Sequence, residues 1–412
     1  MGKLPLEGIR ILDHTIAWAG PQATVILADM GAEVLKIEPA LRFDSLRYFG
    51  LDHAGVKGKF WEKSAWFIQV NRNKLGMTLD LSQERGKELY LRLVKISDVI
   101  INNFTPRVMP NLGLDYERLR EVKSDIIVAS MPGYGCTGPY KDASAFGDCM
   151  NAFSGLDDIT GYEGGSPMRP GLAYGDPTSG FAAALAIVAA IRYRLKTGKG
   201  QFLDISHMEA VSKGMDGLID YAMNKSLQKR KGNRDQYAAP QGCYPCLGND
   251  QWATISIATD GEWERFCQAA GNPEWSRDPR FSHFAGRKEH HQELDKHMAT
   301  WTSTHDRYEL MDILQKNHIA CAPVLYPGEL LQDSHFLGRE FFEEADHPHA
   351  GLKLLPGMIC KMSVSPCRTR FPAPCLGQHN TYVFQELLGL TDEEMSELKE
   401  AGIIGTEPQF RR

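Results

Sequence analysis

The feature that most constrains the fold is an alternation of short apolar strands and helical segments through the first 135 residues. Residues 9–13 read as a strand, 21–30 as a helix stopped by Gly31, and 33–37 as the next strand. The pattern repeats with strand 77–81, a helix over 83–96, strand 98–102, helix 116–122 and strand 125–129. Such alternation predicts an α/β protein with a Rossmann-like open parallel sheet and helices on both faces. The dinucleotide fingerprint G-x-G-x-x-G does not open the first helix. Ala19-Gly20-Pro21-Gln22-Ala23-Thr24 stands there, which disfavours NAD and FAD.

Residues 130–180 are rich in Gly, Pro and small polar residues, a long irregular region of the kind that usually carries function. It ends in Ala173-Tyr174-Gly175-Asp176-Pro177-Thr178-Ser179-Gly180, at the mouth of a long apolar helix over 181–196. The helix dipole favours an ionised carboxylate there by about 0.3–1 kcal/mol. An ionised, open carboxylate can act as a covalent nucleophile. The same residues also make an ordinary start, with Asp at the N-cap and Pro at the first helical position. The stretch alone leaves both readings open.

Strand 202–205 and helix 208–224 follow, then a polar, basic linker over 225–240 with Arg230, Lys231 and Arg234. A small α+β domain is expected over 241–325, with a hairpin around Gly248-Asn249-Asp250 and helices at 261–271, 288–302 and 307–317. The remainder, 326–412, has Pro/Gly loops and an acidic helix at 392–401.

A net charge of −6 gives no reason to expect nucleic acid or an anionic membrane as partner. No run reaches the ~18–20 apolar residues of a membrane span. The start, Met1 to Gly8, has neither a long apolar run nor a cleavage site, so no signal peptide is expected. Nine scattered cysteines fit reduced thiols in a cytoplasmic protein. Cys243-x-x-Cys246 has no second pair at zinc spacing, and His290, His291 and His297 read as a solvated helix face, so no metal is expected. The Cys136 turn lacks the helix start and cationic neighbours that activate a thiol. Arg72-Asn73-Lys74 could meet phosphates or form a solvated turn.

Taken in order, these pieces resemble the class III CoA-transferase family, which includes formyl-CoA transferase and carnitine CoA-transferase. The resemblance runs from Leu6-Glu-Gly-Ile-Arg-Ile-Leu-Asp13, Ala19-Gly-Pro21 and Leu27-Ala-Asp-Met-Gly-Ala-Glu-Val-Leu-Lys-Ile-Glu-Pro39 through Asn71-Arg-Asn-Lys74, Leu79-Asp-Leu81, Asn103-Phe104 and Leu112-Gly-Leu114. It continues with Gly133-Tyr-Gly135, Gly138-Pro139, Tyr174-Gly-Asp176, Thr197-Gly-Lys-Gly-Gln201, Ala322-Pro-Val324, His347-Pro348 with Gly351, and Leu376-Gly-Gln-His379.

The resemblance implies a large domain built from both ends of the chain, here 1–224 and 326–412, with the small domain between. It implies an interlocked dimer, homodimer or heterodimer with a homologous subunit, and transfer of CoA between an acyl-CoA and a carboxylic acid. Asp176 takes the nucleophile's role, through a mixed anhydride and an aspartyl-CoA thioester. CoA contacts carry over to Trp18 and Ala19, to Leu79, Asp80, Leu81 and Ser82, and to Asn103, Phe104 and Thr105. Arg72, Lys74 and Arg107 are expected as mobile cations for the CoA phosphates.

Four departures stand out. Asn111 replaces a frequent arginine, Trp18 replaces a glutamine, and no glycine-rich loop is found near 246–250. Gly147 is the most informative, because racemases of the superfamily place a histidine there and formyl-CoA transferase a glutamate. Proton transfer on two faces needs a second base, so Gly147 disfavours the 2-methylacyl-CoA racemase. A non-catalytic partner subunit is a third reading. The exchanged acids are not legible; the overall impression is of aromatic acids such as benzylsuccinate with succinyl-CoA as donor, for which Trp18, Trp61 and Trp66 would suit a pocket.

Overall fold

The computed structural model describes residues 3–50 and 57–409. Met1 and Gly2, read above for a leader signal, lie outside them. The chain divides into two compact units. The first comprises residues up to 157, 169–227 and those from 335 onward; the second comprises 158–168 and 228–334. Residues 228–240, expected as linker, thus belong to the second unit, as do 158–168 and 326–334, expected in the large domain.

The first unit runs β1 (Arg10–Asp13), α1 (Ala19–Asp29), β2 (Glu33–Glu38), α2 (Ala65–Asn71), β3 (Lys74–Thr78), α3 (Glu84–Lys95), β4 (Val99–Asn102), α4 (Val108–Asn111), α5 (Tyr116–Val122) and β5 (Ile127–Ser130). It continues through α6 (Gly147–Phe153), the start of α7 (Leu156–Ile159, whose last two residues fall in the second unit), α8 (Gly175–Thr197), β6 (Phe202–Asp204), α9 (His207–Ser212) and α10 (Asp216–Asn224). The six strands form one sheet in the order β3-β2-β1-β4-β5-β6. Every pair is parallel.

Successive strand residues alternate between two apolar layers, as the pleat requires. Ile11, Val34, Val99, Ile101 and Ile127 face α1 and α8 through Ala23, Leu27, Ala183, Ile187 and Ile191. Leu12, Leu35, Ile100 and Val128 face Leu89, Leu93, Leu119, Phe384, Met395 and Leu398. Burying both faces is why these strands lack a polar side.

The expected apolar helix starts at Gly175, six residues early, and is 23 residues long, with a mean hydropathy of 1.2 over an 18-residue window. By length and composition alone it could cross a membrane, although its uninterrupted apolar run, Phe181 to Ile191, stays short of the ~18–20 residues of a span. Its buried face is the layer against α1 just described.

The second unit holds a three-stranded antiparallel sheet, order β7 (Gln241–Pro245), β8 (Trp252–Ser256), β9 (Ala320–Pro323). Between β8 and β9 run α11 (Asp260–Ala269), α12 (Phe284–Glu289), α13 (His291–Thr302) and α14 (Arg307–Lys316). Trp263, Phe266, Leu294, Met298, Leu310 and Leu314 pack on Tyr244, Ala253, Ile255 and Cys321. His291, read as surface, is buried, and its Nε2 accepts the Gln241 N–H at 3.1 Å.

After α15 (Ser334–Gly338), hairpin β10 (Phe342–His347)/β11 (Gly351–Pro356) and α16 (Asp392–Glu400) belong to the return segment. That segment covers β3: Gly76 N–H donates to His379 Nδ1 at 3.0 Å and Thr78 N–H to Asn380 Oδ1 at 2.9 Å.

Candidate active site

Ligands of open parallel sheets bind beyond the carboxyl ends of the strands, where the strand order reverses. Here β1 has β2 on one side and β4 on the other, so the reversal lies at β1/β4. The loops after β1, β3 and β4 leave from this edge. Residues 14–18, after β1, are held by side chains of neighbouring loops. The Asn103 amide accepts the Ile16 N–H at 2.9 Å and donates to its carbonyl at 2.7 Å. Asp44 Oδ1 accepts the Ala17 N–H at 2.9 Å, and Asp13 Oδ1 that of Thr15 at 2.9 Å. Ala17 sits at φ +59°, a left-handed conformation that costs a non-glycine residue about 1–2 kcal/mol. These anchors hold that turn and aim the first N–H groups of α1.

One of those groups, the Ala19 N–H, faces the carboxylate of Asp176 and favours its charged form. Tyr174 is the N-cap of α8 and makes no side-chain cap, so Gly175, Asp176 and Pro177 are its first three helical residues. Asp176 is therefore not the cap, and Pro177 is not at the first position. A helix leaves its first N–H groups without intrahelical partners, so proline costs no bond there. Gly175 is fixed on two sides. Its N–H donates to Asn151 Oδ1 at 3.1 Å, and an added Cβ would lie 2.5 Å from His207 Nε2.

The carboxylate of Asp176 lies against Gly147, where a Cβ would come within 1.9 Å of Oδ2 and 2.7 Å of the Ala173 Cβ. Burial pushes the Asp176 carboxyl up to about 6; the Ala19 N–H pulls against this, and the charge of Asp148 adds to it. A rise of that size is worth about 3 kcal/mol. It outweighs the 0.3–1 kcal/mol by which the helix end favours ionisation, so the net shift is upward rather than downward, and the group is still mostly ionised at pH 7.

Trp18, half-buried at the N-cap of α1, meets Trp66 edge-on with ring centroids 5.2 Å apart. Leu79 is buried in the core and Leu81 packs on it. Asp80 Oδ1 accepts the Ser82 N–H at 2.9 Å and its hydroxyl at 2.7 Å, closing the turn into α3. Phe104 rests on the core, Thr105 begins the turn into α4 through its carbonyl, and Arg107 is exposed at the N-cap of α4. The three loops are thus brought to one edge.

Arg72 and Lys74 are not the mobile cations expected. Lys74 Nζ is fully buried, bonded to Asp13 Oδ2 at 3.1 Å, Thr24 Oγ1 at 2.7 Å and Asn71 Oδ1 at 2.8 Å. Arg72 pairs with Asp29 at 2.5 Å and donates to the Gln69 carbonyl at 2.8 Å. Lys36 pairs with Asp44 at 2.9 Å and donates to the Thr15 carbonyl. Buried charges of this kind persist because they are paired. They brace the loop that carries Ala19.

Sequence reasoning missed Lys36, Asp44, Asn151 and His207. The one available signal was Lys36 and Glu38 inside an otherwise apolar strand. Cys136 donates its N–H to Asp204 at 2.8 Å, and burial pushes its thiol up to about 11, which leaves it unreactive. Glu62, His347 and Cys375 bring three metal-ligand atoms within 4.8 Å of one another. Glu62 already pairs with Arg47 at 2.7 Å, and His347 Nδ1 accepts the N–H groups of His349 and Ala350 at 3.3 and 3.2 Å. Those bonds are structural and fit a metal poorly.

Residues 6–380 match CoA-transferase family III. A protein of Chloroflexus aurantiacus named succinyl-CoA--D-citramalate CoA-transferase is 32% identical over 401 residues, 97% of this chain and 98% of that one. A second from the same organism, the alpha subunit of succinyl-CoA--L-malate CoA-transferase, is 32% identical over 404 residues, 98% of this chain and 93% of its own. The crystal structure of a CAIB/BAIF family protein from Brucella suis superposes with a TM-score of 0.84 at 27% identity, over 94% of this chain and 100% of that one. A match over nearly the whole chain, on a parallel sheet with a carboxylate at its carboxyl edge, identifies the enzyme class: the chain belongs to the class III CoA-transferases.

Proposed function

We propose that Asp176 carries the exchange between an acyl-CoA donor and a carboxylic acid acceptor. Its carboxylate attacks the thioester carbonyl and expels CoA thiolate, giving a mixed anhydride. The thiolate attacks the aspartyl carbonyl and expels the first acid, leaving an aspartyl-CoA thioester. The acceptor carboxylate attacks that thioester and frees the thiolate again. The thiolate then attacks the acceptor's acyl carbon, which releases new acyl-CoA and regenerates Asp176. Each step exchanges one acyl bond for another, so no proton is gained or lost overall. The single observation behind this reading is the mostly buried Asp176 carboxylate, packed against Gly147 and facing the Ala19 N–H at the carboxyl edge of the sheet. The same donor faces the carbonyl oxygen once Asp176 is acylated, which suits it to stabilise the tetrahedral oxyanions.

The acids are dicarboxylic on this reading, since the two relatives are named for succinyl-CoA with D-citramalate or L-malate. Benzylsuccinate fits the class, and the Trp18, Trp66 and Phe49 rings offer an apolar wall for its phenyl group. The racemase alternative is weaker, because Gly147 supplies no second base beside Asp176. Phe181, Leu185, Leu218, Ile219 and Met223 are exposed on α8 and α10 and suit a dimer, with a second copy or a homologous chain. Nine free thiols suit a reducing cytoplasm.

A panel of acyl-CoA donors and mono- and dicarboxylic acceptors, read by mass spectrometry, tests the proposal. Exchange with a CoA adduct on Asp176 is expected. Exchange without an adduct at that residue would refute the mechanism.

A further inference from the structure

We propose that Arg169 binds the non-reacting carboxylate of a dicarboxylic acceptor, exchanging its partner Asp148 for the substrate; this rests on the dicarboxylate reading above. A dicarboxylate presents one carboxylate to Asp176 and carries a second a few bonds away. That second charge faces two acids, Asp148 and Asp176, and requires a cation.

Apart from Arg107, exposed at the N-cap of α4 and expected above at the CoA phosphates, the cations described at the sheet edge are committed elsewhere. Lys36, Arg47 and Lys74 are buried in ion pairs, and Arg72 is held by Asp29. Arg169 differs from them. Its Nη1 lies 2.5 Å from Asp148 Oδ2, yet the two side chains are 55% and 49% exposed.

Its position follows from the chain on both sides. Asp148 adjoins Gly147, the residue pressed against the Asp176 carboxylate. Arg169 lies on the strap leading to Ala173, whose Cβ borders the same spot. The guanidinium is therefore tethered at the mouth of the site by a solvated ion pair, the kind that contributes least to stability. A carboxylate docking on the planar guanidinium fork gains two charge-assisted bonds. A monocarboxylic acceptor has nothing to place there, so Arg169 discriminates between the two classes.

The test loads the enzyme with a monocarboxylic donor such as propionyl-CoA, which differs from both acceptors, so that loading is independent of Arg169. Acceptor KM is then measured for L-malate and for butyrate in the wild type, Arg169→Gln and Arg169→Lys. Arg169→Gln is expected to raise the KM for malate about 10- to 100-fold. Butyrate should change less than about twofold, and Arg169→Lys should recover part of the loss. Equal effects on both acceptors, or none on malate, would overturn the role of Arg169 while leaving the CoA adduct on Asp176 intact. Absence of that adduct in the wild type would instead overturn the proposed mechanism, and the role of Arg169 with it.

Discussion

A Cβ on Gly147 would lie 1.9 Å from Oδ2 of Asp176, so a side chain at one position and the carboxylate at the other compete for one volume. Real Cβ atoms do not approach so closely, and the obstacle is the group that the chemistry needs. Gly147 therefore does more than lack a base: it leaves the space in which the carboxylate rests.

Gly147→Ala should displace that carboxylate from the Ala19 N–H. Overpacking of this kind costs about 1–3 kcal/mol. The rate of CoA-adduct formation is expected to fall about 10- to 100-fold, with the circular-dichroism melt lowered by only a few degrees. A wild-type adduct rate in Gly147→Ala would show that the carboxylate works from another position.

The raised Asp176 carboxyl sets a pH profile. Nucleophilic attack needs the ionised form, so kcat/KM should rise with pH through an apparent pKa near 6. Asp148→Asn removes a neighbouring negative charge and should move that limb to lower pH. Stability has the opposite sign. The folded state holds the Asp176 proton longer than the unfolded chain, so this group's contribution declines as pH rises from about 3.8 through about 6. Asp176→Asn should flatten that part of the stability curve, as followed by urea titration.

Lys74 and Arg107, grouped together by sequence, should separate in experiment. Lys74→Met leaves Asp13 buried without its cation and should cost about 3–5 kcal/mol in urea unfolding. Arg107→Ala should leave stability within about 0.5 kcal/mol and weaken CoA binding in a salt-dependent way. Unchanged CoA affinity in Arg107→Ala would remove it from the phosphate site.

Asn103→Ala removes both bonds to Ile16 and releases the loop that aims Ala19. We expect a loss of about 1–3 kcal/mol in stability and a larger fall in kcat than in CoA affinity. A pure rise in CoA KM would instead make Asn103 a ligand contact.

The strand–helix alternation was legible because β1, β4 and β5 are apolar on both faces and their crossovers begin or end at Gly, Pro or Asp. β3 was misplaced by three residues. It opens with Lys74, which hydropathy reads as a turn and which is buried only because Asp13 and Asn71 meet it there. The start of α8 was misread for a related reason: Asp176-Pro177 follows the rule for a cap, but the Asn151 bond to Gly175 moves the helix start upstream. Hairpin β10/β11 was read as loop, since four of its six Gly351–Pro356 residues are exposed and carry no alternation. The nucleophile position came from the order of motifs along the chain. Its neighbours Gly147, Ala19 and Asn151 lie between 25 and 157 residues away in sequence, and no local pattern joins them.

The whole account depends on one carboxyl group becoming a thioester. Incubation with an acyl-CoA donor and no acceptor, followed by peptide mass spectrometry, measures this directly. The account predicts a gain equal to CoA less one water on the peptide containing Asp176, discharged by added acceptor and abolished in Asp176→Ala. Undiminished exchange in Asp176→Ala, or an adduct on another residue, would contradict it.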